Sequence, residues 1–486
     1  MKRLIATVSR PLGRGAFVVL AAIVALGGAG YAAATQLAPT NIVRSAQVKN
    51  GSLQKVDLSK KAITALKGAR GMQGVRGAAG PSGIPGPQGP KGDTGASGAP
   101  GAPGLAGQPG AQGPRGPAGP ALVRFAPAAN TIKMLDVAGV GIGDSGEDTS
   151  ATIGADGLAL IGYYDKTNGN LKIAHCNDAS CTSATKTTLD SAGDVGHGSS
   201  VVLGADGFGL ISYRDATNGT LKVAHCDDLA CTSAKSSTVV ANLGFTASRA
   251  RTSATVGVDS LGLVSYTTAG GNVHVAHCSN LECTSATTSV VSVASSDSPS
   301  ITLGADGRGL IGYSDPLNGD LKVAHCNDPA CTSATNSTLD SVGTVGQAPS
   351  VTVGADGLGL ISYYDVTNGD LKVAHCNDAA CTSATTSAIA TDGNAGGYSS
   401  VTTGPDGLGL VSFSHGSNGL SVAHCHSAAC TIASLTTVVK FKFGKHTSLT
   451  IGTDGLALIS HYDNQTGELR VAHCSNTFCV PYFRRR

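Results

Sequence analysis

Beyond residue 122 one hydrophobic signature recurs along the chain. A stretch that is apolar or small on both faces, such as LGLISYYD at 358–365, is followed by an alternating one, LKVAHC at 371–376, and then by a Thr/Ser-rich run. A further strand-like segment precedes the Asp-Gly pair at 356. Apolar character on both faces predicts a strand buried on both sides, whereas alternation predicts strands with one face covered. Asp-Gly recurs at 156, 206, 306, 356, 406 and 454, with Asp259-Ser260 in the remaining unit, and Asn-Gly or a variant follows the second strand. Both dipeptides suit tight hairpins that need positive φ. Each unit therefore reads as four antiparallel strands.

Equivalent histidines fall at 175, 225, 277, 325, 375, 424 and 473, a spacing of 48 to 52 residues. A repeat of that length points to a propeller or a solenoid. The last unit stops at Cys479 with room for only three strands, while TIKMLDVAG at 131–139 resembles TKTTLDSAG at 185–193. An N-terminal strand thus supplies the missing fourth strand of the last unit. Closure of this kind removes exposed edges without capping repeats, and predicts an all-β, seven-bladed β-propeller over residues 122–486.

Ahead of it the pattern changes three times. Residues 1–14 carry Lys2, Arg3, Arg10 and Arg14, and residues 15–34 hold the apolar run AFVVLAAIVALGGAGYAAA. This run is expected to be a transmembrane anchor or a cleaved signal peptide, since Ala32, Ala33 and Ala34 offer a cleavage site. Either way residue 35 onward lies outside the cytosol, on the cell surface or secreted. Residues 35–67 form a linker expected to set trimer register. From Gly68 to Gly119 glycine holds every third position through eighteen triplets, and residues 68–121 read as a collagen-like stalk. Only glycine fits at the axis of three wound polyproline chains, so the stalk predicts a parallel homotrimer with a rod roughly 160 Å long.

Composition narrows the function. With 67 glycines and no tryptophan the chain departs from a typical enzyme, and a net charge of +2 gives no general case for nucleic acid. Membrane contact is expected only through the N-terminal segment. Glutamates occur at 147, 282 and 468 alone, in no shared repeat position, and no phosphate loop, zinc-protease motif or cofactor signature stands out.

All fourteen cysteines belong to the repeats, as Cys176 and Cys181, Cys226 and Cys231, Cys278 and Cys283, Cys326 and Cys331, Cys376 and Cys381, Cys425 and Cys430, and Cys474 and Cys479. Cys376 is expected to end the third strand and Cys381 to open the fourth, facing each other as a structural disulfide. Zinc is the alternative. It is disfavoured because His375 and Cys376 are neighbours on a strand and point to opposite faces. The repeated histidine is expected to be a packing and hydrogen-bonding residue, with pH sensing as the other reading.

Connections between the blades differ from one another, unlike the hairpin turns, so the face that carries them is the candidate binding surface. Two are basic, with Arg249 and Arg251 in one and Lys440, Lys442 and Lys445 in the other. These five cations are candidate ligands for an anionic polysaccharide or a surface protein. Asp165, Asp215, Asp315, Asp365 and Asp463 open the second turns, with Thr267 and His415 expected there in two blades; turn capping is favoured over calcium ligation.

The stalk's Gly-X-Y triplets, including GPKGDTGASGAPGAPG, make the chain resemble bacterial collagen-like surface proteins. The unit ISYYDVTNGDLKVAHCNDAACTSA is similar to repeat modules of exported bacterial propellers. That resemblance implies structural, matrix-like or adhesive work at the cell surface and carries no catalytic residue across. The alternative is a propeller-type hydrolase or lyase that processes glycans from the end of a stalk.

Overall fold

The computed structural model describes residues 129–137, 145–244, 251–293, 298–416, 419–440 and 444–480. The basic N-terminus, the apolar run, the linker and the collagen-like stalk lie outside these residues, as do Arg249 and Lys442. All described residues belong to one compact unit. No helix among them is long and apolar enough to cross a membrane.

The described residues form seven four-stranded antiparallel sheets. Blades 1 to 6 span Ser145–Asp190, Val195–Val240, Ser253–Ser292, Ser300–Asp340, Gln347–Ala390 and Ala395–Val439. Blade 7 combines Gly444–Ile451, Ala457–Asp463 and Glu468–His473 with Thr131–Val137, which pairs antiparallel with Glu468–His473 as its outer strand. First strands of successive blades pack side by side, blade 7 against blade 1 included. The ring is closed, and the fold is the seven-bladed propeller that the repeat predicts.

Burial follows the sequence pattern. The second strand Gly209–Asp215 is buried at every position, and so is Ala457–Asp463. The core is divided into layers between blades. Leu310, Leu321 and Val323 of blade 4 meet Ile361, Tyr363 and Ala374 of blade 5, and Leu458, Leu469 and Val471 of blade 7 meet Ile161 and Tyr163 of blade 1.

Each third-strand histidine grips its own blade's first turn. In blade 5 the Asp356 carboxylate accepts from the Leu358 amide through Oδ1 (3.1 Å) and meets His375 Nε2 through Oδ2 (2.8 Å). The same His–Asp contact occurs at 2.7–2.8 Å in the other six blades. The histidine is thus a hydrogen-bonding element of the repeat.

All seven cysteine pairs are bridged, so no thiolate is left to hold a metal. The second cysteine is not where the sequence placed it. The outer strand of blade 5 starts at Ala384, opposite Cys376, and Cys381 sits three residues earlier in the connecting turn with φ of 52°. The loop curls because Asp378 accepts from the backbone amide of Cys381 through its carbonyl and from the Thr382 amide through its carboxylate. That curl carries Cys381 back to within 4.8 Å of Cys376, Cα to Cα.

Blade 3 also departs from the sequence expectation at its second turn. Thr267 pairs with Val273 as Tyr364 pairs with Leu371, so Thr268, not Thr267, is the counterpart of Asp365. A turn one residue shorter causes the offset. Where the aspartate is present it caps the turn, as Asp365 does by accepting from the Asn368 amide (3.0 Å) and side chain (2.9 Å).

Between blades the packing carries a buried polar triad. Asp340, ending the outer strand of blade 4, accepts from Tyr363 Oη (2.6 Å) and Lys372 Nζ (2.5 Å) of blade 5. Asp136 does the same for Tyr163 and Lys172, and Asp190 for Tyr213 and Lys222. Burial raises the Asp340 carboxyl, but hydrogen bonds from Lys372 and Tyr363 outweigh it and hold it below its ordinary range. A carboxyl lowered in the folded state stabilises above its unfolded pKa of ~3.9 and loses that contribution as pH falls through the folded value. Replacing Asp340 by Ala leaves Lys372 with only Asp365, 3.8 Å away. The change is expected to cost about 3 kcal/mol at neutral pH. Denaturant titrations of parent and variant should show the gap closing below pH ~4.

Candidate functional site

Seven serines line the central channel, one from the first strand of each blade. Ser150 Oγ accepts from the Val201 amide, and the relation repeats from Ser200 to Ala254, Ser253 to Ile301, Ser300 to Val351, Ser350 to Val401, Ser400 to Leu449 and Ser448 to Ala151. All seven bonds are 2.9–3.1 Å. A short hydroxyl at this place joins each blade to the next at the axis, which is why the position never varies within the chain.

Two residues before each serine the opposite holds. Asp148, Gly198, Arg251, Ser298, Ala348, Tyr398 and His446 share one structural position, and no two are alike. Five sit in the left-handed region, with φ of 49° at Asp148, 57° at Gly198, 48° at Ala348, 54° at Tyr398 and 51° at His446. The first strand breaks register here in blades 1, 2, 5, 6 and 7. A bulge of this kind re-aims a side chain. The result is a mouth of about 870 Å³ to which all seven blades contribute. It opens on the face of the second turns and the blade connections.

Five of these residues form a connected cluster. His446 Nδ1 lies 2.8 Å from Asp148 Oδ1 and 2.6 Å from Arg251 Nη2. When Nδ1 is bare the guanidinium donates to it, and when protonated it donates to Asp148. The Gly198 amide donates to Asp148 Oδ2 (2.9 Å), and Arg251 Nε is 3.5 Å from Oδ1. Burial raises the Asp148 carboxyl, but His446, Arg251 and the Gly198 amide together hold it well below its ordinary range. Tyr398 packs against His446 with ring centroids 4.6 Å apart and planes tilted by 35°, and lies 5.4 Å beneath the Arg251 guanidinium. That distance is within cation–π reach.

A second cluster lines the same mouth. Tyr164 Oη donates to Asp194 Oδ1 (2.6 Å), His197 Nε2 approaches the same oxygen (2.9 Å), and the two rings lie 3.9 Å apart. Burial, then the Asp194 carboxylate, pushes the Tyr164 phenol upward. Lys166 pairs with Glu147 at 3.1 Å. The mouth thus presents aromatic faces, fixed cations and carboxylates at close quarters, a surface suited to a hydroxyl-rich ligand that also carries charge.

Of the five cations singled out in the sequence, Arg251 and Lys445 line this mouth. Lys440 is exposed after the outer strand of blade 6, outside the lining. Arg251 is not a lone cation, being held by Asp148 and His446. Sequence reasoning missed Asp148, His446, Tyr398 and the Tyr164–Asp194–His197 group. The signal available was the varied position beside the unvarying serine.

Residues 66–122 match the family model of the collagen triple helix repeat. Among curated proteins none matches the chain. Among solved structures the chain is similar to a protein of unknown function from Dyadobacter fermentans, at 11% identity and TM-score 0.46, covering 72% of this chain and 98% of that one. It is similar to an α-L-arabinofuranosidase from Fusarium graminearum, at 12% and 0.45, with coverage of 71% and 97%. It is also similar to an ulvan lyase, at 10% and 0.45, with coverage of 71% and 94%. At these values nothing of their chemistry carries over.

Proposed function

We propose that this protein is an extracytoplasmic adhesive element, in which a trimeric collagen-like stalk displays propeller heads that hold an anionic glycan at the central mouth without turning it over. One observation carries the reading. In a ring built from near-identical modules, the positions two and three residues before each channel serine differ in every blade, and most of them line the mouth, while the serine itself is fixed. Diversity concentrated at the rim of the mouth, beside an unvarying ring of serines, is what a ligand of irregular shape requires, and packing alone gives no reason for it.

Arg251, Lys445 and Lys166 supply cations for carboxylate or sulfate groups, and Tyr164, Tyr364 and Tyr398 supply flat surfaces for sugar rings. Chain direction brings Asn130 onto the disulfide-loop face, where it bonds to Cys479 and Ser475, and the mouth opens on the other face. Three heads on one rod would multiply a weak single-site affinity.

A glycan array probed with the full-length chain tests the reading. Lys445 has no ion pair among the described residues, so Lys445→Ala should fold normally and weaken retention of uronate- or sulfate-bearing glycans about tenfold, the worth of one charge-assisted hydrogen bond. Retention that is indifferent to glycan charge or to Lys445→Ala would remove the proposal. Release of shortened or unsaturated sugar would instead assign a hydrolase or lyase.

A further inference from the structure

The seven blade interfaces differ in a way that exposes one vacancy. At 7|1, 1|2 and 4|5 an aspartate answers a tyrosine and a lysine, as described above. At three others the aspartate is absent and the lysine is absent with it. Val240 faces Tyr266 and His274 at 2|3, Ala390 faces Phe413 and Ser421 at 5|6, and Val439 faces His461 and Arg470 at 6|7. The cation is lost with the acid at 2|3 and 5|6, whereas at 6|7 Arg470 keeps a cation, held by Asp463 at 3.1 Å, and the tyrosine has become His461.

Interface 3|4 differs from all of these. Tyr313 and Lys322 are both retained, but the acid position is Ser292. Where the carboxylate would sit, a groove of about 410 Å³ opens. Ser292 Oγ donates to Tyr313 Oη (2.9 Å), Tyr313 Oη donates to Asn336 Oδ1 (2.8 Å), and Lys322 Nζ turns to Asp315 (2.6 Å). One wall is apolar: Val290 stands where blades 1, 2 and 4 carry threonine, and Val293 is 82% exposed.

We propose that the groove between blades 3 and 4 binds a small aliphatic carboxylate, whose oxygens take the seat that Asp136, Asp190 and Asp340 fill at the acidic interfaces. The chain itself shows three times how a carboxylate is received there, by one phenol hydroxyl and one ammonium at 2.7 Å or closer, joined at Asp136 by a second ammonium, Lys186 (2.9 Å). Lys322 reaches the seat by swinging from Asp315, the same pair of positions that Lys172 spans when it contacts both Asp136 and Asp165. Val290 and Val293 flank the alkyl part. This site is separate from the mouth and does not depend on what the mouth binds.

Ligand-observed NMR on the full-length chain, with 3-methylbutanoate and its uncharged amide as probes, tests the assignment. The acid should bind at least about tenfold more tightly than the amide, and Lys322→Met should remove that preference. Ser292→Asp should fill the seat from within, abolish binding of the acid, raise the melting temperature, and leave any acidic-glycan retention as in the parent. Equal binding of acid and amide, no binding of the acid, or persistence of binding in Ser292→Asp would overturn the proposal.

Discussion

A chain lacking residues 129–137 will melt early and without a single cooperative transition. Six positions of Thr131–Val137 pair with Glu468–His473, so deletion leaves blade 7 with three strands and an open edge. Removal of Asp136 strands Lys172, which is 16% exposed, and takes away the acceptor of Tyr163 and Lys186. Breaking a buried pair from one side costs about 3–5 kcal/mol, and the loss of Leu135 from the layer against blade 1 adds about 2 kcal/mol. Against a typical stability of about 5–15 kcal/mol this is a large share. Scanning calorimetry of the deleted and intact chains decides the matter, and an unchanged transition would mean that the outer strand of blade 7 does not close the ring.

Complete reduction is expected to have the larger effect. Each bridge closes a loop of six residues and is worth about 2 kcal/mol in the chain-entropy picture. Seven of them rival the whole stability of a domain. The cysteines are fully buried, so the reagent must be applied in denaturant and the thiols alkylated before refolding is attempted. The alkylated chain should fail to recover strand content at 25 °C by circular dichroism, whereas removing one pair, as in Cys376→Ala with Cys381→Ala, should cost only about 2 kcal/mol. Native-like recovery of the fully alkylated chain would reduce the bridges to a minor role.

The architecture was legible because it repeats. LGLISYYD announces a doubly covered strand, Asp-Gly announces its hairpin, and TIKMLDV reads as a stray outer strand whose partner had to be at the far end of the chain. The mouth was hard to read for the complementary reason. Periodicity reports what recurs, and Asp148, Arg251, Tyr398 and His446 are what does not recur, brought together by ring closure from positions up to about three hundred residues apart. The left-handed backbone at Asp148, Ala348, Tyr398 and His446 has no glycine to advertise it, unlike that at Gly198. Of the basic residues, Arg251 and Lys445 were found by charge, but their setting was not, since the Asp148 carboxylate and the His446 ring that hold Arg251 lie in other blades. The misplacement of Cys381 has a local cause: two cysteines five apart look like facing strand positions until the aspartate between them is seen to wind the loop.

The unequal interfaces bear on a hazard peculiar to chains made of interchangeable parts. Modules as alike as blades 4 and 5 can dock on the wrong neighbour, within one chain or across to another held nearby. Such a mistake would bury Lys372 against Ala390 or Val240 in place of Asp340, at a cost of several kcal/mol. Acid, tyrosine and lysine on three seams and other combinations on the rest thus act as an address, by which seven look-alike blades are sorted into one order.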